Sequence, residues 1–252
     1  MNKAILPVGT VTGFEKYGMG HILWLLGALA ALVILCKAYK CAAKESRRRL
    51  KICLAGLGLG IQLLRGGLLL LRGEYTMAQL PLHLCNISVY LCFVYAFWPG
   101  RLLGQFLYAF SLPGWVLALL FPGWSGYGLD DTVCVLSFLL HIVPTGFVLM
   151  QLFAGELKPD TRQLPQACAL MLLMAVPVYI IDVNTGQNFM FLNFPPRGTP
   201  LALFDFLGRP GYLLGVLPMA GLIWWGMYGP FLKGRKKECG LPRRFAPRND
   251  KV

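Results

Sequence analysis

The apolar positions along this chain fall into long runs divided by short polar stretches, with little of the alternation that marks soluble elements. Runs of about 17–25 apolar residues suffice to cross a hydrocarbon core about 30 Å thick. Seven are read, over 20–39, 52–71, 82–99, 102–120, 131–153, 164–181 and 211–232. The second is glycine-rich and carries Arg65, the sixth is short and holds Pro165 and Pro177, and the seventh contains Pro218. That last run ends in Trp224, Trp225 and Tyr228, side chains that settle at a membrane interface. The pattern predicts an all-α polytopic membrane protein. It comprises an outer segment over 1–19, a seven-helix transmembrane bundle over 20–232 and a basic tail over 233–252. Short connections leave no room for a soluble domain, and dense cations after the first run mark a stop-transfer segment rather than a cleavable signal.

Composition agrees. Of the 252 residues 56% are apolar and 14% charged, whereas soluble domains carry about 25% charge. That excludes a soluble enzyme, a nucleic-acid reader and a disulfide-knotted secreted domain. The net charge of +13 reads as topology: eighteen Lys/Arg fall in the connections after runs one, three and five and in the tail, against five on the other side. Cations gather on the cytoplasmic side, which puts the N-terminus outside and the C-terminus in the cytoplasm of a cell-membrane protein. No aromatic platform accompanies the basic stretches, so their expected partners are anionic lipid headgroups rather than nucleic acid.

Ionisable groups inside a bilayer are costly and therefore candidates for function. Arg65 lies seven residues before Arg72, roughly 10 Å below the outer surface at the helical rise. His141 lies ten residues past Asp131, roughly 15 Å deep, and Cys85 is roughly 6–8 Å deep on the third run. His83 sits just above them, and the cytoplasmic half offers no matching set. Pro144 kinks the fifth run beside His141. The amide-rich, nearly uncharged outer loop with Asp182, Asn184, Gln187 and Asn188 is suited to dip back over a cavity, where non-helical backbone is tolerated. Each feature also has a plainer reading: His141 hydrogen-bonded between helices, Arg65 snorkelling to headgroups, His83 at the interface, and Gly56–Gly60 as helix packing.

The eight cysteines show no metal-binding spacing, so no metal or cofactor is expected. Cys85 is a candidate nucleophile, with a Cys85–Cys134 disulfide as the competing reading. His83 points away from Cys85 on a helix, which leaves His141 as the base at suitable depth. Asp182 or a loop amide is the candidate to orient its ring.

The blocks Leu80-Pro-Leu-His-Leu-Cys85-Asn86, His141-Ile-Val-Pro144 and Asp182-Val-Asn-Thr-Gly-Gln-Asn188-Phe-Met-Phe-Leu-Asn-Phe-Pro195 resemble the YwaF family of bacterial membrane proteins over roughly residues 15–232. That family is similar to the eukaryotic transmembrane protein 164 family of phospholipid acyltransferases and, more remotely, to androgen-induced hydrolases of fatty-acid esters. The resemblance implies a Cys85 nucleophile with His141 as its partner, and phospholipid and lysophospholipid substrates. Arg65, His83, Asn86, Asp182, Asn184, Gln187 and Asn188 are the expected substrate-binding residues, Arg65 for the phosphate and the loop amides as oxyanion donors. Phe189 and Phe194 stand where the family pattern has Tyr and Lys. The competing classes are a transporter or lipid binder with the same pocket and no covalent step, and a structural membrane protein.

Overall fold

A computed structural model describes residues 13–196 and 198–238; the expectations for the first twelve residues, for Arg197 and for the tail from Cys239 onward lie outside the described residues. Among the described residues the chain is helical throughout, without a strand: α1 (Met19–Cys41), α2 (Lys44–Leu71), α3 (Leu84–Phe97), α4 (Arg101–Phe106), α5 (Leu112–Leu120), α6 (Thr132–Phe153), α7 (Leu164–Thr185) and α8 (Val216–Glu238). A five-residue π turn, Leu107–Ser111, joins α4 to α5 in one span. Seven spans are thereby long and apolar enough to cross a membrane, matching the seven apolar runs.

The differences lie at the ends. The second span begins at Lys44 rather than near residue 52, and only Ala42 and Ala43 separate it from α1. Lys and Arg are good helix formers, so a basic stretch continues the helix past the apolar boundary. Pro165 and Pro218 fall in the first turns of α7 and α8, where a missing N–H costs no helical hydrogen bond. The internal prolines are Pro144, Pro177 and Pro230.

The fifth span, α6, is the hub, packed against α1, α2, α3 and α5. Its most apolar window is 78% buried, against 17% for α1 and 11% for the sixth span, which present Leu23, Leu26, Leu172, Leu173 and Ile180 outward. Lipid solvates such side chains, so close approach at small residues, rather than apolar burial, holds the helices together. Of the glycines between 56 and 60 only Gly58 is buried, where a Cβ would sit 3.6 Å from Val89 and 3.9 Å from Val143. Gly146 of α6 lets α1 approach: a Cβ there would come within 2.7 Å of Leu35.

Ion pairs fasten both ends. At the cation-rich end Glu156 receives Lys51 at 3.0 Å and Arg47 at 3.4 Å, and accepts from the fully buried Tyr39 hydroxyl at 2.7 Å. Burial pushes the Glu156 carboxyl up, but the Tyr39, Lys51 and Arg47 contacts outweigh it and hold the group below its ordinary value. At the opposite end Arg72 reaches both carboxylate oxygens of Asp131 at 2.9–3.0 Å, and Tyr127 donates to Glu74 at 3.1 Å. Burial and then the Glu74 contact raise the Tyr127 phenol above its ordinary value.

Candidate active site

The polar constellation is built outward from α6. His141 Nδ1 lies 2.7 Å from the Ser137 carbonyl one turn earlier. A carbonyl only accepts, so this contact places the imidazole proton on Nδ1 and leaves the Nε2 lone pair free. The orienting group is thus α6's own backbone. Asp182, the expected orienter, is fully buried elsewhere, its Oδ1 accepting from the Phe189 amide at 2.8 Å. Pro144, three residues on, removes an N–H from the helical ladder, while Thr145 Oγ1 donates to the His141 carbonyl at 2.7 Å.

Arg65 of α2 reaches this turn from the side. Its Nε donates to Ser137 Oγ at 2.9 Å and its Nη2 to Gln79 at 3.3 Å. No carboxylate pairs with it among the described residues, and the charge of Arg65 and the ring of His83 both lie within electrostatic range of His141. Arg65 therefore packs inside the bundle rather than reaching only for headgroups. One turn before it, the buried Oε1 of Gln62 has no hydrogen-bond partner.

Trp124, in the connection between α5 and α6, covers the imidazole. Its ring stacks on His141 with centroids 4.7 Å apart and planes 22° off parallel, and meets Phe138 edge-on at 5.2 Å. Its indole Nε1–H is buried without a partner. A buried donor left unpaired costs about 1–3 kcal/mol. Sequence reading missed this residue, because a loop tryptophan gives no sign of which helix it will cover.

Cys85 occupies the first turn of α3 with His83 as the N-cap residue. Its face is the one expected from helical spacing: Ser88, Val89 and Cys92 below it are buried, and Val89 packs with Leu136 and Leu140 of α6. Trp115 of α5 donates its indole N–H to the Cys85 carbonyl at 3.1 Å, and Ser88 Oγ meets Ser111 Oγ at 2.7 Å. Cys85 is half-buried, and no hydrogen bond joins its sulfur to His141 among the described residues. The Cys85–Cys134 disulfide is not formed: all seven described cysteines are free, and Cys134 is buried beside Leu119 and Phe138. Asn86, next to Cys85, is half-buried, and its side-chain amide makes no hydrogen bond among the described residues.

The loop after α7, expected to dip back over a cavity, folds onto the start of α3 through specific contacts. The Met190 amide donates to His83 Nδ1 at 3.2 Å, and Phe189 and Phe191 pack on the His83 ring at 5.4 and 5.6 Å. Met190 and Phe191 hold positive φ angles of 51° and 57°, a region costing roughly 1–2 kcal/mol for a non-glycine residue. Asn188 holds this turn: its Oδ1 accepts from Asn193 and Phe194 at 3.0 Å each, and its Nδ2 donates to Phe194 at 2.9 Å. Asn184 donates to the Ile180 carbonyl on an exposed face of α7, and Gln187 contributes its backbone carbonyl to Asn193. The expected oxyanion amides Asn184 and Asn188 are therefore committed to bracing the loop and helix end, and Gln187's described contact there is its backbone carbonyl.

The cation-rich end also holds a polar set that the sequence reading did not find. A cavity of about 460 Å³ opens there, lined in part by Tyr95, Arg101, Gln105, Glu156 and Lys158. Its polar groups come mainly from a helix end and a connection, so intramembrane charges alone gave no sign of it.

A family model described as the TMEM164 family matches residues 16–228. No curated protein and no solved structure matches the chain.

Proposed function

The chain belongs to the TMEM164 family, and on that premise we propose that it is a membrane-embedded phospholipid acyltransferase or lipid ester hydrolase working through a thioacyl-enzyme. The observation that carries the reading is the tautomer at His141. Its Nδ1–H is held by the Ser137 carbonyl at 2.7 Å, which presents a free Nε2 base in the same half of the bundle as the half-buried thiol of Cys85. The positive-inside rule turns that half outward, in a cell membrane with a cytoplasmic C-terminus.

In the first step His141 Nε2 takes the Cys85 thiol proton and the sulfur attacks the ester carbonyl carbon of a phospholipid. The C–O bond to the lysolipid breaks, and its oxygen leaves with the proton from His141. In the second step a lysolipid hydroxyl, or water, gives its proton to His141 and attacks the thioester, and the returning proton restores the thiol. General base assistance contributes about 10²–10⁴-fold in such reactions. Arg65, whose Nη1 makes no hydrogen bond among the described residues, holds the phosphate. The carbonyl oxygen takes its hydrogen bonds from the unpartnered Trp124 Nε1–H and the Asn86 amide. Substrate entry between α3 and α6 brings the sulfur and the imidazole into line, as catalytic hydrogen bonds often tighten only in the complex.

The experiment is acyl labelling of purified protein in nanodiscs with acyl-labelled phospholipid. Wild type should carry a hydroxylamine-labile adduct that Cys85→Ala abolishes and His141→Ala slows by at least a hundredfold. A wild type without adduct or released lysolipid across the common phospholipids would overturn the covalent reading. The second reading, a transporter or lipid binder without chemistry, draws on the cavity of about 460 Å³ at the opposite end, since alternating access needs polar space open to each side of the membrane in turn.

A further inference from the structure

The cavity at the cation-rich end is built from separate parts of the fold. Its scaffold is Gln105 of α4, whose Nε2 donates to the Lys158 carbonyl at 2.8 Å while its Oε1 accepts from the Asp160 amide at 3.0 Å and the Tyr228 hydroxyl at 3.2 Å. One buried amide thus fixes the connection between α6 and α7 against α4 and α8. The space beside it is kept open by Gly104, where a Cβ would fall 3.1 Å from the Tyr95 hydroxyl.

Three groups in this space lack partners within the described bundle. Tyr95 is only 8% exposed, yet its hydroxyl makes no hydrogen bond and lines the cavity. Arg101 and Lys158 stand exposed at the rim without an ion pair. Glu156 and Asp160 also line it, but the Glu156 charge is already met by Lys51, Arg47 and Tyr39, and Asp160 accepts from the Arg162 amide at 3.1 Å. The free groups are thus hydrogen-bond donors, two of them cationic, set where the spans meet the headgroup layer. About 460 Å³ falls within the usual size of a ligand pocket. Basic pockets between membrane helices on this side take anionic headgroups, drawn by cations near the surface.

We propose that this cavity is a binding site for the phosphate-bearing headgroup of an anionic phospholipid, separate from the Cys85–His141 site and independent of the chemistry assigned there. The phosphate sits between Arg101 and Lys158, the Tyr95 hydroxyl donates to the headgroup from below, and the acyl chains leave along the lipid-facing sides of the helices.

The test uses the full chain in a neutral detergent, titrated with dioctanoyl phosphatidylglycerol, dioctanoyl phosphatidylcholine and inorganic phosphate, with thermal stability and native mass spectrometry as readouts. The glycerol lipid should bind and raise Tm, while the choline lipid binds at least tenfold more weakly. Arg101→Gln with Lys158→Gln should weaken phosphatidylglycerol binding at least tenfold at unchanged ligand-free Tm, because both side chains are exposed. Tyr95→Phe should weaken it severalfold, and Arg162→Gln, exposed at the same end outside the cavity lining, should leave it intact. Equal binding of both lipids, or undiminished binding in the double variant, would overturn the site. Inorganic phosphate binding as tightly as the lipid would overturn the lipid assignment in favour of a soluble phosphate compound.

Discussion

Replacing Trp124 by phenylalanine separates the two roles the structure gives that residue. Phenylalanine keeps a ring to stack on His141 at 4.7 Å and to meet Phe138 at 5.2 Å, but removes the unpartnered Nε1–H. Trimming the half-buried indole loses roughly 1 kcal/mol of apolar burial, while relief of the buried orphan donor returns about 1–3 kcal/mol. Stability should therefore match wild type or rise by up to about 2 kcal/mol. If the same N–H stabilises the oxyanion, its loss slows acylation about 10²–10³-fold, or roughly 3–4 kcal/mol in the barrier. Trp124→Leu should add the loss of stacking, about 0.5–1.5 kcal/mol, to stability. Single-turnover adduct formation in nanodiscs gives the rate, and thermal unfolding in the same preparations gives the stability. A phenylalanine variant that acylates at the wild-type rate would refute the donor role. One that slows only in proportion to a large loss of stability would reduce Trp124 to packing.

At the opposite end, Glu156→Gln keeps an acceptor for Tyr39 and loses the charge facing Lys51 and Arg47, so it should cost about 1–2 kcal/mol. Glu156→Ala also leaves the buried Tyr39 hydroxyl unpaired and should cost about 1–3 kcal/mol more; equal losses in the two variants would refute the arrangement. Because the folded Glu156 value lies below its ordinary one, its contribution is present above the unfolded pKa and disappears as pH falls through the folded value. The wild-type advantage over Glu156→Gln, followed by thermal unfolding, should accordingly shrink on acidification. In the outer loop, Asn188→Ala removes three hydrogen bonds and should speed proteolysis and amide exchange over residues 187–196, while Asn184→Ala on the exposed face of α7 should leave both unchanged.

The spans were legible because a hydrocarbon core dictates length and polarity directly, and burial depth follows from helical rise alone. Helical rise puts Arg65 and His141 in one half, and the two lie within electrostatic range of each other. What pairwise packing decides was not legible. Asp182 had the chemistry to orient an imidazole, but a backbone carbonyl one turn away was nearer. Asn188 had the chemistry of an oxyanion donor, yet the positive φ angles of Met190 and Phe191 require a brace and Asn188 supplies it. Pro165 and Pro218 lie inside the apolar runs, but α7 and α8 begin only one and two residues before them, where a proline is tolerated.

The π turn at Leu107–Ser111 carries a consequence for the whole bundle. An α-helix advances about 100° per residue, so the extra residue of a π turn rephases everything after it. Before the turn the span presents Gln105 to the cavity at the cation-rich end; the turn's last residue, Ser111, meets Ser88, and after it Trp115 meets the Cys85 carbonyl. One rod thus has two independently indexed faces, like a shaft with an offset keyway. Shortening the turn by one residue would swing Trp115 off α3 while leaving Gln105 seated, uncoupling the alignment of one polar site from the other without touching a residue of either.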